Sequence, residues 1–134
     1  MTWKLGSKVD NRKEAVRIGK MAVTWCMNNM GVNKRKKYAP NVIFYKALPT
    51  DTCMGEYRYW DNELIVYWNN VDNVKHLIQT IIHEWQHQLQ PMNNYDKLAK
   101  EYGYENHPLE IDATNAEAIH YKPMWMEIKP KLNR

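Results

Sequence analysis

Residues 72–90, DNVKHLIQTIIHEWQHQLQ, decide the fold prediction because their apolar positions repeat with a helical period. These positions recur at spacings of three and four, which predicts a helix that packs one face against a core. They are Val74, Leu77, Ile78, Ile81, Ile82, Trp85 and Leu89. The second half of the helix contains the motif HExxH, as His83-Glu84-Trp85-Gln86-His87. One helical turn separates the two histidines, so their side chains lie one above the other beside the apolar face.

An HExxH motif on a helix predicts a catalytic zinc site. Zinc binds imidazole nitrogen at roughly 2.0–2.1 Å, and two histidines one turn apart reach one ion without backbone strain. We therefore expect His83 and His87 to be metal ligands and zinc (Zn2+) to be the cofactor. Glu84 follows the first ligand and is expected to be the general base that activates a water. A chance match would more often fall in a loop or on a solvated helix face.

A second helix is predicted after residue 107. Pro108 suits the first turn of a helix, and the residues that follow continue with helical spacing. The positions are Leu109, Ala113, Ala116 and Ile119, and the two alanines among them allow two helices to approach closely.

Three residues near the start of this helix are candidates for the third protein ligand that catalytic zinc requires. Glu110, in the first turn, is favoured. His107 precedes the helix and would complete a three-histidine site. Asp112 is shorter and suits a role in orienting a histidine. A competing interpretation assigns the Glu110 carboxylate to a capping box that begins at Asn106 or His107.

The order of these segments resembles that of small zinc metallopeptidases of the zincin group. It is closest in layout to minimal gluzincins and SprT-like domains, and it is similar to peptidase-like proteins encoded by phages. The resemblance covers roughly residues 40–120 and rests on the segments 55–68, 83–87 and 107–113. Gluzincins take a glutamate from a second helix as third ligand, which matches Glu110, whereas SprT-like proteins take a histidine, which would match His107.

We therefore expect an α+β fold. It should have an N-terminal helix, a small and mainly antiparallel sheet, the HExxH active-site helix and a following helix that bears the glutamate. Asn11 followed by Glu14 predicts a capped first helix that ends near Gly31. Residues 41–48 predict a strand, and residues 56–68 predict a hairpin that turns at Asp61-Asn62.

The resemblance also implies a function, the hydrolysis of peptide bonds by a zinc metalloendopeptidase. Zinc held by His83, His87 and Glu110 would lower the pKa of a water, and Glu84 would carry its proton to the leaving amine. A protein or peptide substrate would add as a strand to an edge of the hairpin. A further donor for the developing oxyanion is left open among Tyr95, Tyr102, Tyr104 and His120. The alternative is a catalytically silent, zinc-stabilised module that binds protein or nucleic acid, although such a module would have no need of Glu84.

Length and composition favour one soluble domain. The 134 residues suit a single domain over residues 1–134. No apolar run is long enough to span a bilayer, and the N-terminus lacks the apolar centre of a signal peptide, so an intracellular protein is expected, in the host cytoplasm if phage-encoded. Cys26 and Cys53 form no CxxC motif and are expected to be buried free thiols.

Charge is unevenly distributed along the chain. Residues 1–40 carry ten Lys and Arg against two Asp and Glu, residues 41–120 carry five against twelve, and residues 121–134 carry four against one. The densest basic patch is Lys34, Arg35, Lys36 and Lys37, in a predicted loop that is either a solvated linker or a weak contact for nucleic acid or an acidic partner. The aromatic and Met-rich segment 121–126 suggests a further hypothesis, a basic tail that lies across an acidic cleft and keeps the enzyme latent.

Overall fold

The computed structural model describes residues 2–134. Over these residues the chain forms four α-helices, one short 3-10 turn and a three-stranded sheet. In chain order they are α1 (Arg12–Asn29), β1 (Asn41–Tyr45), β2 (Gly55–Arg58), β3 (Glu63–Tyr67), α2 (Val74–Gln88), the 3-10 turn (Met92–Asn94), α3 (Tyr95–Tyr102) and α4 (Pro108–Leu132). The predicted α+β layout is confirmed.

The first helix begins and ends where its sequence predicts. The Asn11 side chain accepts a hydrogen bond from the Glu14 backbone N–H at 2.9 Å, which satisfies one of the unpaired donors of the first turn. At the other end Gly31 adopts φ +86°, a left-handed conformation that glycine takes without a steric penalty. Its carbonyl accepts from the Trp85 indole N–H at 2.8 Å, so the end of α1 is tied to α2.

The sheet has the strand order β1-β3-β2 and is mixed. β2 and β3 form the predicted antiparallel hairpin, and Asn62 in its turn has φ +51°. β1 pairs with β3 in parallel, because residues 46–54 carry the chain from one edge of the sheet to the other before β2 begins. β2 is therefore an edge strand.

Helix α2 lies at the centre of the core. It contacts the sheet, α1 and α4, and its apolar face is fully buried at Leu77, Ile78, Ile81, Ile82 and Trp85. Each of these side chains contributes about 1.5–3 kcal/mol through burial. The HExxH motif therefore lies on a helix whose apolar face is buried in the core.

Helix α4 packs closely against α2 through small side chains, as its sequence predicts. Ala113 and Ala116 are buried at this contact. The sequence predicts Ile119 on the same face, but Ile119 is 66% exposed, because position 119 is turned away from the face of α4 that contacts α2.

The C-terminal segment does not cover the cleft, so the hypothesis of a latent tail is wrong for this structure. Residues 121–132 continue α4, and Met124, Trp125 and Ile128 are buried in the core. The Asn133 side chain then bonds both backbone groups of Trp3, accepting at 2.6 Å and donating at 3.1 Å. Met124 and Trp125 of this segment therefore belong to the core, whereas Met126 is 77% exposed.

Both cysteines are free thiols, as expected, but they lie in different environments. Cys26 is buried, and its burial raises the pKa of the thiol far above the usual range. Cys53 is exposed in the loop before β2, which corrects the expectation that it is buried. Among the helices of residues 2–134, none is long and apolar enough to cross a membrane.

Candidate metal centre

Helix α2 presents His83 and His87 from consecutive turns toward one point. Their rings are nearly perpendicular, at 79°, with centroids 4.9 Å apart. His87 is buried, and the His83 side chain is 15% exposed. The pair therefore lies at the junction of the core and a cleft, which is where the helical spacing of the motif placed it.

Glu110 completes the arrangement from the first turn of α4. Its Oε1 lies 2.9 Å from His83 Nε2 and 3.2 Å from His87 Nε2. Its other oxygen, Oε2, accepts a hydrogen bond from the Tyr95 hydroxyl at 2.5 Å. The structure thus brings the three predicted ligand residues together, and the Glu110 carboxylate faces the histidines rather than backbone groups at the helix start.

The two rival candidates point elsewhere. His107 is fully buried and is the N-cap of α4: its Nδ1 accepts from the Leu109 backbone N–H at 3.1 Å and its Nε2 donates to the Tyr95 carbonyl at 3.0 Å. Both of its ring nitrogens are therefore occupied. Asp112 is exposed, and its Oδ2 accepts from the side-chain amides of Gln86 and Gln90, at 2.8 and 2.9 Å.

The second nitrogen of each predicted ligand histidine also has a partner. His83 Nδ1 lies 2.6 Å from Glu117 Oε2, and His87 Nδ1 lies 2.6 Å from Gln90 Oε1. Both partners are acceptors, so each Nδ1 carries its proton and donates it. This arrangement orients the rings and leaves both Nε2 atoms directed at the common point, which is how metal-binding histidines are usually held. Asp112 contacts neither histidine; it accepts from the Gln90 amide and so helps to position the residue that bonds His87.

Glu117 was not identified from the sequence. It lies seven residues after Glu110, which is two helical turns, so both carboxylates project from the same face of α4. The spacing could have indicated that Glu117 lies near the site, but only once the register of α4 against α2 is known. Without it, Glu117 is one of many acidic residues on a helix.

The carboxylates strongly perturb the titration of the site. Burial lowers the pKa of His83, but its hydrogen bonds to Glu110 and Glu117 outweigh that effect and raise the pKa to about 10. Burial acts on Glu110 to raise its pKa, but its bonds to His83, His87 and Tyr95 dominate and hold the pKa far below the usual range. In the metal-free protein at neutral pH, a charged His83 therefore lies between two carboxylates.

Glu84 differs from the other acidic groups of the site. Its side chain is buried, and its carboxylate forms no hydrogen bond with any residue in the range 2–134; Oε1 lies 3.9 Å from His87 Nε2. Burial raises the pKa of Glu84 to about 7, although the nearby His83 and His87 act in the opposite direction. Nitrogen and oxygen atoms of His83, Glu84 and His87 lie within 4.8 Å of one another. Glu84 thus lies beside the point on which the two Nε2 atoms converge, and its carboxylate has no hydrogen-bond donor among residues 2–134.

Gly55, at the start of β2, allows the edge strand to approach Glu84. A Cβ at this position would lie 2.6 Å from Thr80 Cγ2, 3.0 Å from the Ile65 carbonyl oxygen and 3.4 Å from Glu84 Cγ. Any larger residue would force β2 away from α2. The strand edge and the site are therefore in close contact because position 55 has no side chain.

A cleft of about 410 Å³ opens onto these groups. Its floor is formed by His83, Glu84, His87 and Glu110, and β2 forms one wall. Comparison with models of protein families, with curated proteins and with solved structures finds no match to this chain.

The donors present fit zinc. Ligand atoms bound tetrahedrally at roughly 2.0–2.1 Å stand about 3.4 Å apart. The separations of Glu110 Oε1 from the two Nε2 atoms, 2.9 and 3.2 Å, differ from that value by a few tenths of an ångström. Two imidazoles and one carboxylate are also a ligand set that catalytic zinc commonly takes, with a further position left for water.

Of the four residues left open as oxyanion donors, the cleft contains two. Tyr95 lines it, but its hydroxyl is engaged with Glu110 and holds that carboxylate in place. Tyr104 lines the cleft and is 69% exposed, with no hydrogen bond from its hydroxyl among residues 2–134. Tyr102 does not line the cleft, and His120 packs against Trp25 at 5.6 Å between ring centroids.

Replacing Glu117 with glutamine should weaken zinc binding by about 10- to 100-fold, because His83 loses the charged acceptor that orients its ring. Competition with a chromophoric chelator measures the affinity. Glu127→Gln makes the same change at an exposed position of α4 and should leave the affinity unaltered. Equal affinities in the two variants would show that Glu117 does not support His83.

Zinc binding should release protons, and the affinity for zinc should increase with pH. The pKa of His83 is raised to about 10, so in the metal-free protein this ring is protonated at pH 7 and must lose a proton before its Nε2 can bind a metal. We expect at least one proton to be released per zinc, and the affinity to rise about tenfold per pH unit through neutrality. Calorimetry in buffers with different ionisation enthalpies measures the released protons. An affinity independent of pH would contradict the charge state assigned to His83.

Proposed function

We propose that this protein is a zinc-dependent metalloendopeptidase of the zincin type, with His83, His87 and Glu110 as metal ligands and Glu84 as general base. The observation that carries the proposal is the state of Glu84: a buried carboxylate that forms no hydrogen bond within residues 2–134 and lies 3.9 Å from His87, next to two histidines whose Nε2 atoms converge on an acidic third ligand. A purely structural zinc site closes its coordination with protein ligands and has no use for such a group.

The choice of Glu110 supports a gluzincin-like arrangement over a SprT-like one. His107 is used at both ring nitrogens as a helix cap, which removes it as a third histidine ligand. Glu110 faces both Nε2 atoms and is held from behind by Tyr95.

Each residue of the site has a part in the proposed reaction. Zinc, when bound, supplies Lewis acidity, which lowers the pKa of water and polarises a carbonyl group. Glu84 accepts a proton from the attacking water and delivers it to the nitrogen of the departing amine. In the metal-free protein, burial raises the pKa of Glu84 to about 7, so this carboxyl can gain and lose a proton near neutral pH. Glu117 and Gln90 keep the histidine rings oriented throughout.

The sheet edge supports a peptide as the substrate. β2 pairs only with β3, so its other edge has no strand partner within residues 2–134, and Gly55, Glu56 and Tyr57 line the cleft. An extended peptide that adds to such an edge is bound through its backbone, which places its carbonyl groups beside Glu84.

The test is hydrolysis of a mixture of quenched fluorogenic peptides by the zinc-loaded chain. We expect cleavage that stops on removal of the metal with a chelator and returns when zinc is added back. A zinc-loaded, folded protein that cleaves no peptide would contradict the proposal and would favour the silent zinc-stabilised module.

A further inference from the structure

A second groove adjoins the catalytic cleft. It has a volume of about 670 Å³ and shares two lining residues, Tyr59 and Met92, with the cleft. Its other walls come from the loop after α1 and from the chain that follows α2, and they include Asn33, Arg35, Lys36 and Gln90. The groove and the cleft are therefore neighbours that meet at Tyr59 and Met92.

The groove and the cleft differ in charge. Within residues 2–134, the charged side chains that line the groove are Arg35 and Lys36, and no acidic residue lines it. The acidic residues that line the cleft outside the metal site are Glu56 and Asp96. An extended chain that occupies both would meet carboxylates in one part and cations in the other.

The two cations of the groove are available to a ligand. Arg35 is exposed, and neither Arg35 nor Lys36 forms an ion pair with another residue of the range 2–134. Lys36 Nζ contacts the Tyr59 carbonyl oxygen at 3.4 Å and lies 5.8 Å from the centroid of the Tyr57 ring. These contacts place Lys36 beside the cleft without neutralising its charge.

The loop that bears the cations is fastened to the metal-binding helix. The Asn33 backbone N–H and side-chain amide donate to the side chain and carbonyl of Gln88, at 3.1 and 2.9 Å. The Asn33 side chain in turn accepts from the Arg35 backbone N–H at 2.9 Å. Gln88 immediately follows His87, so the position of the cations is coupled to that of the metal site.

We propose that Arg35 and Lys36 are specificity-determining residues, and that the enzyme prefers peptides with acidic residues on one side of the cleaved bond. The inference rests on the proposed peptidase function and names the substrate class of that site. Exposed ion pairs are individually weak, so two of them should give a preference of about five- to tenfold. Continuity of the groove with the cleft favours a peptide over a nucleic acid as the anionic partner.

The test compares peptides that differ only in charge. Quenched fluorogenic peptides carry glutamates in either their amino-terminal or their carboxyl-terminal half, and matched peptides carry glutamines there. The zinc-loaded wild type should cleave one of the two glutamate peptides with a kcat/KM about five- to tenfold above its glutamine counterpart. The double variant Arg35→Ala, Lys36→Ala should lose this preference, so that its kcat/KM values for the glutamate and glutamine peptides become equal.

Lys34→Ala, Lys37→Ala is the matched control, because it removes the same charge from the same loop at positions that do not line the groove. It should retain the preference. No preference in the wild type, or equal loss in both double variants, would overturn the inference. Binding of a single-stranded oligonucleotide in place of an acidic peptide would overturn it as well.

Direct binding separates this inference from the peptidase proposal. Fluorescence anisotropy of the labelled glutamate and glutamine peptides is measured on the zinc-loaded Glu84→Gln protein. If the glutamate peptide binds more tightly than the glutamine peptide, and this difference depends on Arg35 and Lys36, the proposed role of the groove is supported. If no peptide is cleaved in addition, only the peptidase function fails. If cleavage depends on Glu84 but shows no charge preference, the peptidase function stands and the proposed role of Arg35 and Lys36 is wrong.

Discussion

Replacing Glu84 with glutamine is expected to lower kcat for peptide hydrolysis by about 10²- to 10⁴-fold, which is the usual contribution of a positioned general base. Glutamine has nearly the same shape but cannot accept the proton. The variant should still bind zinc, because the predicted ligands are His83, His87 and Glu110. Activity and metal content, measured on the same preparation, check both parts of this expectation.

Glu56→Gln is the control for the change at Glu84. Glu56 lines the same cleft from β2, but its carboxylate is paired with Arg58 at 2.5 Å and lies outside the metal site. This variant should keep activity within a few-fold of the wild type. A Glu84→Gln protein that retained full activity with zinc bound would remove Glu84 from the reaction.

The same substitution should also change stability in a pH-dependent way. Burial raises the pKa of Glu84 from 4.5 to about 7, so its contribution to stability is present below pH 4.5 and is lost as the pH rises through about 7. Glutamine has no charge to bury. The metal-free variant should therefore be about 1–3 kcal/mol more stable than the wild type at about pH 8.5, with a smaller difference at about pH 5. Urea unfolding at the two pH values measures this.

Replacing Glu110 with alanine should weaken zinc binding by more than about 100-fold, beyond the range typical of a residue that only supports a ligand. The change removes the oxygen that faces both Nε2 atoms. It also leaves the Tyr95 hydroxyl without its acceptor. The affinity is measured by competition with a chelator, and circular dichroism establishes that α4 remains folded.

Asp112→Ala is the matched control for the third ligand, since it removes a carboxylate two residues away on the same helix. Asp112 is exposed and contacts only amide side chains, so we expect a loss of a few-fold at most, transmitted through Gln90 to His87. A larger loss for Asp112→Ala than for Glu110→Ala would mean that the ligand has been assigned to the wrong residue.

The parts of the fold that depend on local chemistry could be predicted from the sequence. The apolar spacing of residues 74–89, the Asn11 cap and the positive φ at Asn62 are each set by neighbouring residues, and each appears in the structure. The parallel pairing of β1 with β3 was not predicted. It depends on the path of residues 46–54 across the sheet, which local sequence does not encode.

In the candidate site, too, some residues are placed by local helix geometry and others by the packing of one helix against another. His83, Glu84 and His87 lie within one turn of a single helix, so their proximity follows from helix geometry. Glu110 and Glu117 reach His83 from another helix, and their roles depend on how α4 is rotated and shifted against α2. Alanines 113 and 116 indicated a close approach but not its register. The segment 121–126 shows the opposite error, since Met124 and Trp125 pack in the core and not across the cleft.

The most direct test of a metal centre built by α2 and α4 is the zinc content of the purified chain, measured by elemental analysis after reconstitution and removal of loosely bound ions. We predict one zinc per chain in the wild type and in Glu84→Gln, and no tightly bound zinc in His83→Ala. A folded wild type that binds no zinc would contradict the account, because the convergence of His83, His87 and Glu110 would then be an ion-pair network without a metal.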